Sequence, residues 1–272
     1  MLSLNYKKQL ADFLAEDIGK GDITSKLLDK KRVTVKIVSR EKAIVAGAFY
    51  AKELFKLKKC NVQILKKDGS RVLPNQSILK ITGNAADILT CERTALNLLT
   101  RMSGIATQTN YLVKMIPKSV KLYATRKTAP GLRIFDKEAV EIGGGKKHRL
   151  RLDEMVMIKD NHIAVSSSLE DLILRAKKRY KKFEVEVESV DDAVMAAQNG
   201  ATIIMLDNFT PSKIRRAVTV LKEKKLRHKV LLEASGGINE NNIARYGKMG
   251  IDIISVGSIT NSVKGIDMSL EI

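Results

Sequence analysis

The chain has 272 residues, with 49 Lys+Arg against 30 Asp+Glu and a net charge of +19. At 44% hydrophobic it can bury a sizeable core, and its length suits one large domain or two modest ones. No apolar run reaches membrane-spanning length, the start MLSLNYKKQLADFL lacks a signal-peptide pattern, and Cys60 and Cys91 have no metal-site spacing, so a reducing, cytoplasmic setting is expected. His148, His162 and His228 are too scattered for an obvious metal cage. The positive excess permits an anionic partner. Nucleic acid is disfavoured, because aromatics make up only 4% and the lysine runs at 177–182 and 222–229 read as solvated helix ends.

The first part reads as α+β. Residues 4–16 carry Leu4, Leu10, Phe13 and Leu14 on one helical side, and RVTVKIVSR (32–40) alternates like a half-buried strand. AIVAG (43–47) predicts another strand, 48–58 a helix, and 61–66 and 77–82 further strands. A long helical segment spans about 85–115, with a break expected near Ser103–Gly104. From Lys121 the rhythm changes to short apolar strands alternating with helices. Six βα-type units in a row argue for a parallel sheet, and the count falls short of a complete eight-fold barrel.

Period two decides between an open sheet and a barrel. In FEVEVE, Glu184, Glu186 and Glu188 share one face and Phe183, Val185 and Val187 the other. An open doubly wound sheet covers both faces with helices and would bury three carboxylates. A barrel packs the apolar face on helices and turns the carboxylates into its lumen, where Met157, Lys159, Met205, Asp207, Glu233 and Ser235 join them. Glu184, deepest in the strand, suits an internal salt bridge better than direct chemistry.

The strand ends carry the chemistry, because ligands of parallel α/β folds sit at the carboxyl ends of strands. TRKTAPGLR (125–133) follows the first strand and brings Arg126 and Lys127 together. GGGKKHR (143–149) brings three glycines, then His148 and Arg149. Arg forks suit a carboxylate or phosphate, so this cluster reads as an anion pocket. LEASGGI (232–238) and VGSIT (256–260) place glycine turns at the last two strand ends, the usual phosphate seat of such barrels. Glu188 and Asp207 on the same rim suit Mg²⁺ with a phosphorylated substrate. No Ser or Cys nucleophile pairs with a histidine, so positioning and charge are the expected means of catalysis.

These segments, with EDIGKGDITS (16–25), ERTALNLLTRMSGIAT (92–107), EMVMIKDNHI (154–163), VEVES (185–189) and IIMLDNF (203–209), resemble the quinolinate phosphoribosyltransferase family, also called nicotinate-nucleotide pyrophosphorylase (carboxylating). They occur in the family's order along nearly the whole chain. The resemblance implies an N-terminal α/β sandwich domain (1–105, completed by 262–272) and an incomplete α/β barrel of about six parallel strands (106–261). It also implies a homodimer with shared active sites and a Mg²⁺-dependent pentosyl transfer. In that reaction quinolinate and phosphoribosyl pyrophosphate give nicotinate mononucleotide, CO₂ and pyrophosphate, a step of NAD biosynthesis.

Residue by residue, the resemblance assigns the dicarboxylate to Arg126, His148, Arg149 and Lys159, with Arg93 supplied by the partner. Lys127 and Lys159 fall near the phosphoribosyl and pyrophosphate groups. Asp160, Glu188 and Asp207 face the ribose and metal, with Glu188 and Asp207 holding the ion directly or through water. Ser235, Gly236, Gly237 and Gly257 seat the 5′-phosphate. Lys127, Glu188 and Asp207 are the expected catalytic group. Asn261 stands where many members carry a cation, which bears on the 5′-phosphate. A related group of molybdenum-transport proteins usually lacks the IKDNHI segment, which is intact here at 158–163.

Overall fold

The computed structural model describes residues 5–166 and 168–272. The chain divides into two compact units. One combines the stretch up to Asn110 with Glu138–Gly144 and Val263–Ile272; the other comprises Tyr111–Lys137 and Gly145–Ser262.

The first unit opens with α1 (Asn5–Ile18), which buries Leu10 and Leu14; Leu4 lies outside the described residues. β1 (Arg32–Ser39) follows, and β2 is confined to Ala43–Ile44. Next come α2 (Ala48–Leu57), β3 (Asn61–Ile64), a short β4 (Arg71–Val72) and β5 (Ser77–Asn84). The last strand of the chain, Met268–Glu271, joins these in an antiparallel sheet in the order last strand, β1, β5, β3. β2 stops early because only two residue pairs match it to β4, after which the Ala46 amide turns to the Ser103 hydroxyl at 3.0 Å.

The long helix α3 (Ala85–Lys114) runs unbroken for 30 residues, against the expected break at Ser103–Gly104. Those small residues serve close packing instead. Ser103 Oγ donates to Ala46 O at 3.2 Å, and a Cβ on Gly104 would lie 2.2 Å from Lys264 O. A mid-helix glycine costs about 0.5–1 kcal/mol relative to alanine. Here that cost is met by letting a second backbone segment lie against the helix.

The second unit is the six-stranded parallel sheet. It contains β6 (Lys121–Ala124), α4 (Arg133–Ile142, whose second half belongs to the first unit), β7 (Val156–Ile158), α5 (Asp160–Ala164) and α6 (Leu169–Arg179). β8 (Phe183–Val187), α7 (Val190–Asn199), β9 (Ile203–Asp207), α8 (Pro211–Glu223) and β10 (Leu231–Ser235) follow. The unit ends with α9 (Ile243–Tyr246), β11 (Ile253–Val256) and α10 (Ser258–Asn261). Strand order is β6-β11-β10-β9-β8-β7, every pairing parallel. On the outer edge of β6, Lys146 bridges Tyr123, its amide donating to Leu122 O at 2.8 Å and its carbonyl accepting from Ala124 N at 3.1 Å. The GGGKKHR segment is thereby drawn alongside the strand that leads into TRKT.

Alternation sorts the two faces. Val185, Ile204, Leu206, Leu232, Ala234 and Ile254 are fully buried on the helix-covered side, at about 1.5–3 kcal/mol for each large aliphatic side chain. Glu184 and Glu233, one residue out of phase, point the other way. The helices are capped by sequence: Ser168, Ser189 and Thr210 side chains accept from Asp171 N, Asp192 N and Lys213 N at 3.1, 3.0 and 3.3 Å. Part of each lysine run closes a helix: Lys177, Lys178 and Arg179 lie in the last turn of α6, and Lys222 in that of α8, where cations complement the helix dipole. The helix expected over NENNIARYGKMG shrinks to one turn. Asn239 and Asn242 side chains bond nearby backbone there, Asn242 Nδ2 reaching Gly237 O at 3.0 Å. Among the described residues no helix is long and apolar enough to cross a membrane.

Candidate active site

At the carboxyl ends of the parallel strands lies a cavity of about 390 Å³. Arg126, Lys127, His148, Arg149, Lys159, Asp207 and Ser235 all line it, as do Thr125, Met157, Glu186, Met205, Glu233 and Ser255. The five strands β7 to β11, the loop after β6 and the loop before β7 therefore contribute to one chamber.

The cations are held in different ways. Lys127 is exposed, and its backbone is pinned twice: its amide donates to Thr125 Oγ1 at 3.1 Å, and its carbonyl accepts from Thr260 Oγ1 at 2.8 Å. Arg149 donates to Met155 O at 2.9 Å and lies 3.3 Å from Met157 Sδ. Burial, and then the charge of Arg126, lower its pKa from the ordinary value. Lys159 pairs with Glu186 across the strand ends. Arg126 is the odd one out: its Nε is buried and has no hydrogen-bond acceptor among the described residues. A guanidinium N–H left without a partner in a cavity of like charges fits an anion that completes it.

His148 forms the floor. It adopts a left-handed backbone (φ 51°). Its Nδ1 accepts the Arg149 amide at 2.7 Å, while Nε2 lies 3.2 Å from Glu184 Oε2 and 3.6 Å from Glu233 Oε2. Burial alone would lower its pKa, but the two carboxylates outweigh it and push it up to about 9. The Nδ1 contact favours the neutral ring; two carboxylates against one neutral hydrogen bond decide for the cation. Glu184, fully buried, is raised by burial and by Glu233, with His148 opposing; Ser255 Oγ donates to Glu233. Imidazole and carboxylates also bring ligand atoms within 4.8 Å of one another, and the ion pairs of His148 with Glu184 and Glu233 account for that spacing. Tyr123 stacks edge-on against the imidazole, ring centroids 5.6 Å apart.

The glycine turn after β10 is built on backbone. Gly236 and Gly237 follow Ser235 with φ 91° and 62°, conformations that glycine adopts without penalty. Gly257 lies beside Lys127: a Cβ there would sit 3.4 Å from Lys127 Cδ. Asp207 accepts from Asn208 Nδ2 at 2.6 Å. Its pKa is raised by burial and by Glu186 and Glu188, while Lys159 and Lys127 oppose the rise.

Not every predicted residue lines the same chamber. Asp160 and Glu188 line a neighbouring cleft of about 330 Å³ that shares Glu186 with the main cavity. Glu188 lies just past the end of β8, and its carbonyl accepts from Lys213 Nζ. Arg93 is exposed on α3, in the other unit. His162 stabilises the turn into α5, its Nδ1 accepting from the Lys159 amide at 3.0 Å. Ser255 and Thr260 escaped sequence reasoning. Ser255 carried a usable signal, a lone hydroxyl in the apolar run IISV, on the same strand face as Ile253 opposite Glu233.

A barrel-type sheet with a cationic cavity and paired glycine turns at its carboxyl rim defines a class of proteins that bind small phosphorylated substrates. Within that class, the chain belongs to the quinolinate phosphoribosyl transferase family. The family's C-terminal domain matches residues 105–271 and its N-terminal domain residues 22–103. A protein of Methanothermobacter thermautotrophicus, described as a probable nicotinate-nucleotide pyrophosphorylase (carboxylating), is 44% identical over 97% of each chain. The solved nicotinate-nucleotide pyrophosphorylase of Francisella tularensis superposes with a TM-score of 0.91 at 40% identity, over 98% of this chain and 95% of that one. Its counterpart from Ehrlichia chaffeensis gives a TM-score of 0.93 at 35% identity over 98% of both.

Proposed function

We propose that this chain is an enzyme of pyridine-nucleotide biosynthesis that transfers the phosphoribosyl group of phosphoribosyl pyrophosphate to the ring nitrogen of quinolinate. The 2-carboxylate is then lost as CO₂, giving nicotinate mononucleotide and pyrophosphate. The observation that carries this reading is the cavity at the strand ends, with Arg126, Lys127, Arg149 and Lys159 around a buried guanidinium N–H that lacks an acceptor. A substrate with two carboxylates beside a phosphorylated sugar matches so dense a set of cations.

The chain's own residues account for the steps. Arg126 and Arg149 grip the dicarboxylate as forks, and the His148 imidazolium beneath adds fixed positive charge. The Gly236–Gly237 turn with Ser235 holds the 5′-phosphate, which fixes the ribose C1′ against the pyridine nitrogen. As the bond from C1′ to the pyrophosphate oxygen breaks, Asp207 stabilises the positive charge growing on the sugar and Lys127 the negative charge on the leaving group. After the nitrogen–C1′ bond forms, the bond between ring carbon and the 2-carboxylate breaks. The electron pair left on the ring is stabilised by the neighbouring cations until a proton replaces CO₂.

Mg²⁺ suits the rim. Glu188, Asp207 and their neighbour Glu186 offer only oxygen ligands; burial first, and then the charges of Glu186 and Glu188, raise Asp207, and a divalent cation would relieve the like-charge part. Glu188 and Asp207 would hold the ion directly or through water, and it would neutralise pyrophosphate oxygens. The working form is a homodimer in the cytoplasm, with Arg93 of each subunit completing its partner's dicarboxylate site. Incubating the protein with phosphoribosyl pyrophosphate, Mg²⁺ and either quinolinate or nicotinate tests the reading. Nicotinate mononucleotide forms from quinolinate; equal or faster formation from nicotinate would overturn the assignment of the cations to a dicarboxylate.

A further inference from the structure

Two side chains of α4 have no place in the chemistry above, yet both reach into the architecture of the cation cluster. Arg133 and Lys137 are four residues apart and so lie on one face of the helix. Lys137 is fully buried, and its ammonium meets no carboxylate at hydrogen-bond distance. It donates instead to two backbone carbonyls: Ala124 O at 2.8 Å, at the end of β6, and Lys147 O. Arg133 repeats the pattern one turn away. Its Nε donates to Thr128 Oγ1 at 3.1 Å and its Nη1 to Leu150 O at 3.2 Å.

Each rung therefore joins the same two segments. One, residues 124–128, carries Arg126 and Lys127; the other, 147–150, carries His148 and Arg149. Ala124 O lies two residues before Arg126, and Lys147 O immediately precedes His148. The parallel bridge between Tyr123 and Lys146 aligns the segments below this point, but past Ala124 the two chains no longer pair as strands. Past that point the α4 side chains join the two segments directly, and His148 is held from below by Glu184 and Glu233.

A buried cation is a costly fastener. Burial, and then the charges of Arg133 and Arg126, pull Lys137 down to about 8. An apolar residue of the same length would avoid that penalty but would take this donor from the buried Ala124 carbonyl, at about 1–3 kcal/mol, and would release the tie to the half-buried Lys147 carbonyl. The arrangement makes sense if the distance between the segments matters.

We propose that Arg133 and Lys137 are positioning residues, a two-rung ladder on α4 that sets the spacing between Arg126 and the His148–Arg149 half of the dicarboxylate clamp. The proposal rests on the function proposed above. It predicts a particular kinetic pattern, since a clamp whose halves drift by about 1 Å loses on the order of 100-fold in productive geometry. Among the described residues the hydrogen bonds of the ladder do not reach the Gly236–Gly237 turn, which should hardly be affected.

The test is steady-state kinetics on the full-length protein with Lys137→Met, Lys137→Gln, Lys137→Arg and Arg133→Met, each checked for folding by circular dichroism. Lys137→Met is expected to raise the KM for quinolinate at least about 10-fold while the KM for phosphoribosyl pyrophosphate moves less than about 3-fold. Lys137→Gln falls between it and wild type, and Lys137→Arg, which keeps charge and donors, recovers most of the loss. Arg133→Met gives the same split, and the double variant is less than additive because both rungs hold one spacing. Folded Lys137→Met or Lys137→Gln protein with an unchanged quinolinate KM, or with both KM values raised alike, would overturn the ladder. If Lys137→Met does not fold, Lys137→Gln and Arg133→Met carry the decision. Wild-type protein measured alongside separates the two claims: its failure to turn over quinolinate defeats the proposed function, whereas active wild type with indifferent variants defeats only the ladder.

Discussion

Replacing Gly236 by alanine should damage the phosphate end of the site far more than the same change at Gly237. Both glycines are left-handed, at φ 91° and 62°. An L-residue in that region costs about 1–2 kcal/mol. The surroundings separate the two positions. A Cβ on Gly237 meets nothing within 4 Å, whereas one on Gly236 would lie 2.1 Å from Asn208 Oδ1 and 2.8 Å from the Asn208 backbone nitrogen. The side chain of Asn208 can rotate away, but its backbone cannot move freely, because its amide donates to Ser235 O at 2.9 Å. Overpacking of this kind adds about 1–3 kcal/mol. Gly236→Ala should therefore lose about 2–5 kcal/mol in a urea titration followed by circular dichroism, and Gly237→Ala about 1–2. Because Asn208 holds Asp207 through its side-chain amide, Gly236→Ala should also raise the KM for phosphoribosyl pyrophosphate at least about 10-fold, equivalent to about 1.4 kcal/mol. Equal stability losses at the two positions, or an unchanged KM in Gly236→Ala, would refute the reasoning.

Lys127→Ala should lower kcat by about 10²–10³ with little change in the unfolding midpoint, since the side chain is exposed and, on the proposed function, meets the leaving group only during reaction; stopped-point product assays and thermal melts check both halves. Arg93→Ala should weaken quinolinate binding at the partner's site, and mixing inactive Arg93→Ala with inactive Lys127→Ala subunits should restore activity by forming one native site per mixed dimer. Full activity in a monomeric preparation would contradict that sharing. The floor makes a pH prediction. His148 is held at about 9 against an ordinary 6.5. A folded-state pKa above the unfolded value means that its contribution is complete below about 6.5 and is lost as pH rises through about 9. Denaturation midpoints should fall across that window, and Glu184→Gln should flatten the fall; a profile that Glu184→Gln leaves unaltered would count against the His148–carboxylate pairing.

The alternation of FEVEVE already implied a lumen, and the depth order of its carboxylates follows the register: Glu184 fully buried, Glu186 near the cavity, Glu188 beyond the strand. Arg126, Lys127, His148 and Arg149 were legible as a cluster because cations inside a strand–turn rhythm have no reason to be there without an anion. Other features were out of reach for definite reasons. Gly104 looked like a helix breaker because sequence does not show a second backbone segment pressed against it. Lys137 carries no signal in the sequence, since its partners are backbone carbonyls, which leave no trace in residue identity. Position at the strand ends groups Glu188 with Asp207, and the resemblance adds Asp160, but α5 and the turn after β8 place Asp160 and Glu188 around an adjacent cleft. The short α9 follows from an asparagine-rich segment whose side chains compete for the backbone.

The most direct measurement of the central claim uses quinolinate labelled in its 2-carboxylate, with purified protein, phosphoribosyl pyrophosphate and Mg²⁺, counting released CO₂ against nicotinate mononucleotide. One labelled CO₂ per nucleotide, dependent on phosphoribosyl pyrophosphate, is the predicted result. No labelled CO₂ from folded protein, or nucleotide formed without it, would contradict the account.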